Sequence, residues 1–317
     1  IEEEECIITL THNGYTKRMP VDTYRSQHRG GRGITGVTTR EEDFVEHIFT
    51  ASTHDNILFF TTKGMVYRLK GYQVPESSRT AKGMAIVNIL PLDSDEKISA
   101  MIPVREFNNG DYLTFVTREG LVKRTDIMDY SRIRQNGLRA IDLVDGDELI
   151  SVNKTDGEQE IMVATKDGFA VRFKETDARA MGRTTRGVKA AELRKGDCVV
   201  SAMVIDENKS VLAITEGGYG KRTDVEEYRL QSRGGKGIFT YKLTEKTGRL
   251  AGVLSASDDE DIMLITSEGV VIRLHVDTIS RFGRQTQGVR LVKMKDGVSV
   301  VSVALTERYE EEEITET

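Results

Sequence analysis

The sequence predicts an all-β protein with six blades arranged around an axis, each blade built from four strands. One motif recurs six times at a spacing of about 50 residues, and each recurrence has room for four short apolar strands. No window shows the 3.6-residue period of a long amphipathic helix. These observations favour a β-propeller, and the lack of any Trp argues against the WD type. A linear β-solenoid is the alternative, which the repeat length disfavours because solenoid repeats are usually shorter.

Two glycines define each repeat. The first lies in the motif Thr-x-x-Gly-x-x-x-Arg, whose successive glycines are 48 to 56 residues apart. The second follows 19 residues later in five repeats and 17 residues later in the third. The first glycines are Gly14, Gly64, Gly120, Gly168, Gly218 and Gly269, and the second are Gly33, Gly83, Gly137, Gly187, Gly237 and Gly288. Two glycines at nearly fixed spacing in six copies indicate one structural unit repeated along the chain.

Within each unit the residue pattern predicts strand, turn, strand, loop, strand, turn and strand. The first strand is a short apolar run such as 57–60, and the first glycine then reverses the chain with a positive φ angle. The third strand follows the second glycine, as at 84–87, and 98–104 exemplifies the fourth. Each repeat therefore supplies the four strands that one blade needs.

This reading gives a simple domain organisation. Residues 1–5 are an acidic leader, 6–306 are a single six-bladed domain, and 307–317 are an acidic tail. The blades are expected to begin near residues 6, 57, 112, 161, 211 and 262. The chain starts with acidic residues where a secretory signal would be basic, so its start is interpreted as a cut inside a longer protein.

Composition excludes several classes of protein. No stretch approaches the roughly 18 consecutive apolar residues of a membrane-spanning helix. Cys6 and Cys198 have no CxxC partner and no nearby His cluster, which argues against a zinc site and a disulfide framework. A reducing cytoplasm is therefore the expected compartment. P-loop, HExxH and GxSxG motifs are absent from the sequence.

The net charge of −6 hides a sorting of charge along the repeat. The six segments between first and second glycines contain 26 Lys and Arg but only 10 Asp and Glu, whereas the rest of the chain contains 19 and 41. A propeller places equivalent segments at equivalent radius, so this sorting predicts a positive stripe around the molecule. A basic stripe with few aromatic residues suits the phosphates of duplex DNA better than stacked single strands.

The first repeat carries a glycine-rich basic box made of Gln27, His28, Arg29, Gly30, Gly31, Arg32 and Gly33. Adjacent glycines let the backbone approach a phosphate closely, while Arg29 and Arg32 supply fixed positive charge. This box within six such repeats resembles the C-terminal domain of bacterial DNA gyrase A, part of a type IIA topoisomerase. His28 departs from the family box, where an arginine stands, and its contribution is reduced because a neutral imidazole carries no charge.

The resemblance implies a six-bladed β-pinwheel, a propeller-like disc whose blades exchange strands. It implies wrapping of double-stranded DNA with positive handedness, which enables ATP-dependent negative supercoiling by the full enzyme. The implied protein partners are the N-terminal cleavage core of gyrase A and the gyrase B protein, in the bacterial cytoplasm at the nucleoid. The chain itself is expected to be monomeric and non-catalytic, with no metal or cofactor site, since ATP and Mg²⁺ act elsewhere in the enzyme.

Candidate DNA-binding residues extend from the box to degenerate versions of it in the other repeats. A near-copy spans 231–237 in the fifth repeat, although the family places the principal box in the first. Besides Gln27–Gly33, the candidates are Arg79, Lys82, Arg132, Arg134, Arg139, Arg183, Arg186, Lys189, Arg233, Lys236, Arg284 and Arg290. The related domain of topoisomerase IV, which generally lacks the intact box, is an alternative identity.

Other repeated residues are interpreted as structural. Tyr24, Tyr130 and Tyr228 share a position with apolar residues of the other repeats, which predicts packing rather than nucleophilic or stacking roles. The motif arginine, four residues after each first glycine, shares a strand face with apolar positions, and an ion pair between strands is as plausible as a phosphate contact. Two rival functions remain open: a protein-interaction propeller, which needs an apolar patch, and a propeller hydrolase, which needs carboxylates at the axis.

Overall fold

The computed structural model of the chain describes residues 1–21, 38–39, 43 and 45–308. Within these residues, twenty-four strands form six four-stranded antiparallel sheets. Six 3-10 turns of three or four residues each accompany these strands. The predicted all-β, six-bladed fold class is therefore confirmed.

Every repeat contributes four strands, and the third is always the shortest. Repeats 1 and 2 contain β1 (Glu5–Thr11), β2 (Tyr15–Pro20), β3 (Thr38–Thr39), β4 (Val45–Ser52), β5 (Asn56–Thr61), β6 (Met65–Lys70), β7 (Met84–Ala85) and β8 (Ile98–Val104). Repeats 3 and 4 contain β9 (Tyr112–Thr117), β10 (Leu121–Asp126), β11 (Leu138–Arg139), β12 (Leu149–Thr155), β13 (Glu160–Thr165), β14 (Phe169–Lys174), β15 (Val188–Lys189) and β16 (Val199–Val204). Repeats 5 and 6 contain β17 (Ser210–Thr215), β18 (Tyr219–Asp224), β19 (Ile238–Phe239), β20 (Leu250–Ala256), β21 (Glu260–Thr266), β22 (Val271–His275), β23 (Val289–Arg290) and β24 (Val300–Glu307).

The third strand is shorter than the pattern predicts. At 84–87 the sequence predicts four strand residues, but β7 holds only two, because the chain turns into the 3-10 segment Ile86–Asn88. The other 3-10 turns follow the second strands. They are Gly71–Gln73, Ile127–Tyr130, Glu175–Asp177, Val225–Glu227 and Val276–Thr278.

The sheets are shared between neighbouring repeats. Each sheet runs from the fourth strand of a repeat through its first and second strands to the third strand of the next repeat, as in the order β4-β1-β2-β7. The pairs Tyr15↔Ala85 and Thr16↔Met84 join repeat 2 to repeat 1 in this way. The same pairing closes the ring, since β3 of repeat 1 pairs with β22 of repeat 6. Every blade therefore depends on two repeats.

The first motif residues form the hairpin turn between the first and second strands. Each first glycine has φ between 77° and 93° and donates its N–H to the carbonyl of the motif threonine at 2.9–3.1 Å. The threonine hydroxyl accepts a further hydrogen bond from the residue after the glycine at 3.0–3.2 Å. Thr-x-x-Gly thus specifies the turn, because glycine adopts the positive φ angle and threonine pairs an otherwise free N–H group.

Apolar side chains of facing sheets pack between the blades. Phe60, Phe115 and Tyr130 lie in one buried cluster with ring centroids 5.5 to 6.4 Å apart. Similar clusters lie between other described blades. Complete burial of a large apolar side chain stabilises a fold by roughly 1.5–3 kcal/mol, so these contacts hold neighbouring repeats together.

The fourth strands of the repeats surround an axial channel of about 1170 Å³. Serine hydroxyls on these strands bind neighbouring backbone: Ser99 Oγ donates to the Leu149 carbonyl at 2.9 Å, and Ser201 Oγ accepts from the Val253 N–H at 3.0 Å. Since the fourth strands face the axis, the third strands lie at the outer edge of each blade. The basic segment that leads into each third strand is therefore on the outside of the molecule.

Candidate nucleic-acid interface

The candidate DNA-binding residues belong to the loops that connect second and third strands at the outer edge. In repeats 2 to 6 these outer loops are residues 74–83, 131–137, 178–187, 228–237 and 279–288. The box Gln27–Gly33 in repeat 1 and Tyr24 lie outside the described residues. The geometry of the interface below is therefore that of repeats 2 to 6.

Four of the motif arginines connect one repeat to the next. Their guanidinium groups donate to the backbone carbonyl ten residues after the next first glycine. The pairs are Arg18 Nε to Val74 at 3.0 Å, Arg124 Nε to Ala178 at 2.8 Å, Arg172 Nη1 to Tyr228 at 2.9 Å and Arg222 Nε to Ile279 at 2.7 Å. Carboxylates add ion pairs, as between Arg172 and Glu160 at 2.7 Å. These four side chains are occupied inside the blade contacts, which argues against a role at the DNA surface.

Four candidate residues occupy equivalent positions four residues before a second glycine. These outer-loop arginines are Arg79, Arg183, Arg233 and Arg284, and all four are half-buried. Arg183, Arg233 and Arg284 donate from Nη1 to the third-strand carbonyls of Arg139, Lys189 and Phe239 at 2.6, 2.6 and 2.8 Å. Part of each guanidinium therefore fixes the loop to the preceding repeat. The third repeat, whose loop is shorter, has Ile133 at this position, buried in the core.

The remaining candidate residues of repeats 2 to 6 are exposed. They are Lys82, Arg132, Arg134, Arg139, Arg186, Lys189, Lys236 and Arg290. All lie on outer loops or on third strands. Their surface contacts are weak: the Arg186 guanidinium is 3.4 Å from the Asp142 carboxylate, and the Lys82 ammonium is 4.2 Å from the centroid of the Tyr15 ring. Side chains of this kind can turn toward a phosphate without disturbing a buried contact.

The near-copy of the box in repeat 5 shows how adjacent glycines shape an outer loop. Gly234 has φ +87° and donates its N–H to the Ala190 carbonyl at 2.9 Å, while the Gly235 carbonyl accepts from the Glu192 N–H at 2.9 Å. Lys236 is exposed immediately after this contact. Two backbone hydrogen bonds therefore fix the position of this loop against the preceding repeat. Glycine is needed at 234 because its φ is positive.

Three lysines that the sequence places within the basic stripe are not at the surface. Lys123 and Lys221 are fully buried, and Lys17 is half-buried. They stand three residues after a first glycine, where the other repeats have Tyr67, Val171 and Ile272. The alternation of lysine with apolar residues at one position is a sequence signal of burial. The positive stripe therefore contains fewer exposed cations than the number of Lys and Arg in these segments suggests.

The repeated tyrosines that the structure describes are packing residues. Tyr130 and Tyr228 are almost completely buried, and burial raises the pKa of Tyr228 to about 12. The Tyr130 hydroxyl donates to the Ala140 carbonyl at 2.8 Å. A phenol with a raised pKa and a backbone partner is a poor nucleophile, in agreement with the interpretation drawn from the sequence.

The described lining of the axial channel includes three carboxylates. The carboxylates among the described channel residues are Glu46, Asp206 and Glu207, and Glu46 pairs with His12 at 2.7 Å. In the described part of the chain, no three His, Cys, Asp or Glu side chains are grouped to hold a metal ion. None of the helices in those residues is long and apolar enough to cross a membrane.

One known protein family matches almost the whole chain. The family described as "DNA gyrase C-terminal domain, beta-propeller" matches the chain six times in succession. The matched residues are 7–52, 55–105, 111–156, 159–206, 209–257 and 260–307. The chain belongs to this DNA gyrase C-terminal domain family. Each match covers one four-stranded repeat, so the family unit coincides with the unit found from the two glycines.

Similar proteins include several that are named as the A component of DNA gyrase. The gyrase A protein of Halalkalibacterium halodurans is 56% identical over 316 residues, covering 100% of the chain and 38% of that protein. The gyrase A protein of Clostridium acetobutylicum is 50% identical, covering 99% of the chain and 38% of that protein. The chain thus spans about two fifths of the length of these curated relatives.

Solved structures of this family share the fold. The C-terminal domain of DNA topoisomerase IV superposes with a TM-score of 0.84 and 28% identity, covering 97% of the chain and 95% of that structure. The DNA gyrase A C-terminal domain superposes with a TM-score of 0.72 and 26% identity, covering 95% and 99%. The backbone likeness is therefore shared by both enzymes, whereas the high sequence identity is to gyrase A proteins.

Proposed function

We propose that the chain binds duplex DNA along its outer edge without sequence specificity and wraps it with positive handedness. The observation that carries this proposal is the position of the exposed cations. In repeats 2 to 6 they lie on outer loops or third strands, which the sheet order places at equivalent points around the ring. A duplex that follows these points must curve with the ring.

The binding energy comes from phosphate contacts. Bending a site of 20–30 base pairs costs on the order of 1–6 kcal/mol, which many Lys and Arg contacts must offset. Specificity is expected to follow DNA shape, because side chains at this edge meet the backbone of the duplex rather than base edges. The box Gln27–Gly33 is assigned the principal contact by its resemblance to the family box.

In the complete enzyme the chain acts as a non-catalytic part of gyrase A. Its wrapped segment is presented to the N-terminal cleavage core of the same protein, and the gyrase B protein supplies the ATP hydrolysis that drives negative supercoiling. The work takes place in the bacterial cytoplasm at the nucleoid. High identity to proteins named as gyrase A supports this assignment.

A topological experiment tests the proposal. A closed circular plasmid is relaxed by a type I topoisomerase in the presence of the chain, and the protein is then removed. Chiral wrapping shifts the linking number toward positive values. Binding without any shift would contradict wrapping, and failure to bind at moderate salt would contradict DNA recognition as a whole.

Two alternative functions differ in how the structure bears on them. The TM-score of 0.84 to the topoisomerase IV domain supports a related role in that enzyme, for which DNA binding without a linking-number shift is the expected result.

A protein-interaction propeller is the second alternative, and it needs one apolar patch. The exposed large apolar residues of the described chain are spread over the leader and repeats 2, 3, 5 and 6, with at most two in any repeat, which favours DNA binding over this second alternative.

A further inference from the structure

Lysines in alternate repeats lie beneath the outer loop of the following repeat. These strand lysines are Lys17 in repeat 1, Lys123 in repeat 3 and Lys221 in repeat 5. Lys123 and Lys221 have no solvent-exposed surface. A charged ammonium in such a place must find acceptors inside the protein, since burial of an unpaired charge is costly.

The acceptors are backbone carbonyls of the next outer loop. Lys221 Nζ donates to the carbonyls of Gly283, Arg284 and Thr286 at 2.8, 2.8 and 3.0 Å. Lys123 Nζ donates to the Arg183 carbonyl at 2.6 Å and, within its own repeat, to Ala140 at 2.5 Å.

Lys17 makes the equivalent contacts in the first pair of repeats. Its Nζ donates to the carbonyls of Ser78, Arg79 and Ala81 at 3.0, 2.7 and 2.9 Å. In all three cases one acceptor is the carbonyl of an outer-loop arginine. One ammonium group therefore holds the very residue whose side chain reaches back to the preceding third strand in repeats 4 and 6.

The outer loop of repeat 5 is held by other means. Val171 stands where a strand lysine would be, and the Gly234 N–H donates to the Ala190 carbonyl instead. The bond to the Gly235 carbonyl has counterparts in repeats 4 and 6, where the carbonyls of Thr185 and Thr286 accept from the preceding repeat at 3.1 Å. Repeats 4 and 6 have Thr184 and Gln285 in place of Gly234. A buried ammonium and the N–H group of Gly234 are thus two alternative ways to hold the loop against the preceding repeat.

We propose that Lys17, Lys123 and Lys221 are positioning residues for DNA binding, each holding the basic outer loop of the next repeat at the edge where it meets phosphate. The inference rests on the proposed function. The cations that depend on these lysines are Lys82, Arg186 and the outer-loop arginines of repeats 2, 4 and 6. The strand lysines themselves contact no DNA, because they are beneath the loops.

The charge on these lysines is sensitive to pH. Burial lowers the pKa of Lys123 to about 7 and that of Lys221 to about 8. Arg183 and Arg284 act in the same direction, whereas Asp129 and Glu227 oppose it. The phenols of Tyr130 and Tyr241 also face the two ammonium groups.

Loss of the proton weakens the hold on the loops. A neutral amine has two N–H donors where the ammonium has three. Lys221, which donates to three carbonyls, therefore releases at least one of them as pH rises past its pKa. Lys123 loses one of its three bonds to Ala140, Arg183 and the Tyr130 hydroxyl. The free energy of unfolding of the whole chain, by contrast, increases as pH rises. Because the folded pKa lies below the unfolded value, the unfolded chain binds the proton more tightly between the two, and these lysines make unfolding harder as pH increases through that window. Weaker DNA binding at high pH therefore does not result from unfolding.

The test compares two double variants of the 317-residue chain. K123M/K221M removes both fully buried ammonium groups. The control variant K70M/K174M removes two lysines from the ends of the second strands of repeats 2 and 4, which belong to the equivalent basic segments of those repeats. With a duplex DNA at fixed salt and pH 7, we expect K123M/K221M to weaken binding at least about tenfold and K70M/K174M less than about threefold, since only the first releases whole loops. Equal losses in the two variants would overturn the inference.

The pH profile separates positioning from a merely structural role. Wild-type affinity is expected to fall between pH 7 and 9, whereas that of K123M/K221M stays nearly constant. All other titratable groups are the same in the two proteins, so their effects cancel from the comparison. If K123M/K221M does not fold, hydrogen exchange of the wild-type chain decides: amides of 281–287 lose protection over this pH range relative to amides of 231–237. Parallel changes in the two loops would overturn the inference.

The proposed function and this inference fail in different ways. Absence of any duplex binding by the wild-type chain would overturn both. Binding by the wild type that depends on the exposed cations but not on Lys123 and Lys221 would overturn the inference alone.

Discussion

At the residue scale, one arginine of the repeat has different surroundings in different blades. Arg222 is 8% exposed and donates to the Ile279 carbonyl at 2.7 Å, whereas Arg68, at the same position of repeat 2, is exposed. R222M is expected to lower the free energy of unfolding by about 2–3 kcal/mol, because charge-assisted hydrogen bonds to buried carbonyls are lost. R68M is expected to cost about 0.5 kcal/mol or less. Urea unfolding of both variants measures the difference, and equal costs would contradict the inter-repeat role of Arg222.

The two glycine-rich boxes give a second prediction at this scale. R29A/R32A is expected to abolish the linking-number shift while leaving part of the DNA affinity, because other repeats still bind phosphate. R233A/K236A removes the equivalent charges of repeat 5 and is expected to reduce affinity with wrapping retained. Plasmid relaxation and a binding titration on each variant provide the measurement. If R29A/R32A lowers both properties to the same extent, the first box has no special role.

At the scale of single elements, the second glycine of repeats 2 to 6 lies close against the preceding repeat, next to the third strand. Gly237 has φ +80°, and a Cβ there would lie 2.6 Å from the Ala170 carbonyl of the preceding repeat. Gly196 has the same φ but nothing within 4 Å of a Cβ. G196A therefore reports the backbone strain alone, about 1 kcal/mol, while G237A adds the close approach and is expected to cost about 3 kcal/mol. Thermal or urea unfolding distinguishes them; similar costs would mean that the third strand shifts freely.

Some features of the strands can be predicted from the sequence and others cannot. Four strands per repeat follow from alternating apolar runs and turn glycines, and those signals are local. The third strand is only two residues long, and it pairs with the preceding repeat, a contact that no local pattern encodes. The exchange of strands between repeats was implied by the family resemblance, and residue spacing alone does not predict it. The fold class was therefore predictable, whereas the partner of each third strand was not.

The candidate site, too, is only partly predictable from the sequence. Repetition of basic residues located the outer loops, but a charge count cannot separate exposed Lys236 from buried Lys221. The separating signal is the comparison of repeats: Lys221 alternates with Val171 and Ile272, as Tyr130 alternates with Ala178. Burial of a lysine also requires a loop of another repeat to supply carbonyls, and that depends on three-dimensional packing.

At the scale of the whole molecule, exchange of strands makes the ring a single unit. Each sheet contains strands of two repeats, and β3 joins repeat 1 to repeat 6 through Thr38 and Thr39. The fourth strands fix the radius on the inside, and the outer loops inherit that spacing. A rigid ring is a suitable template for bending DNA, because the cations do not have to be ordered separately when the duplex binds.

The dependence of DNA affinity on salt measures how much of this ring the duplex meets. If each of the six repeats contacts two phosphates, the slope of log K against log salt concentration is expected to be about −11. R186M/K236M removes two exposed cations from different repeats and should reduce the slope by about 2 in magnitude, while its stability stays within about 0.5 kcal/mol of the wild type. A wild-type slope of about −4 would mean that the duplex touches only one or two blades. Because a path over so few blades cannot follow the ring, that slope would exclude wrapping even if the affinity were high.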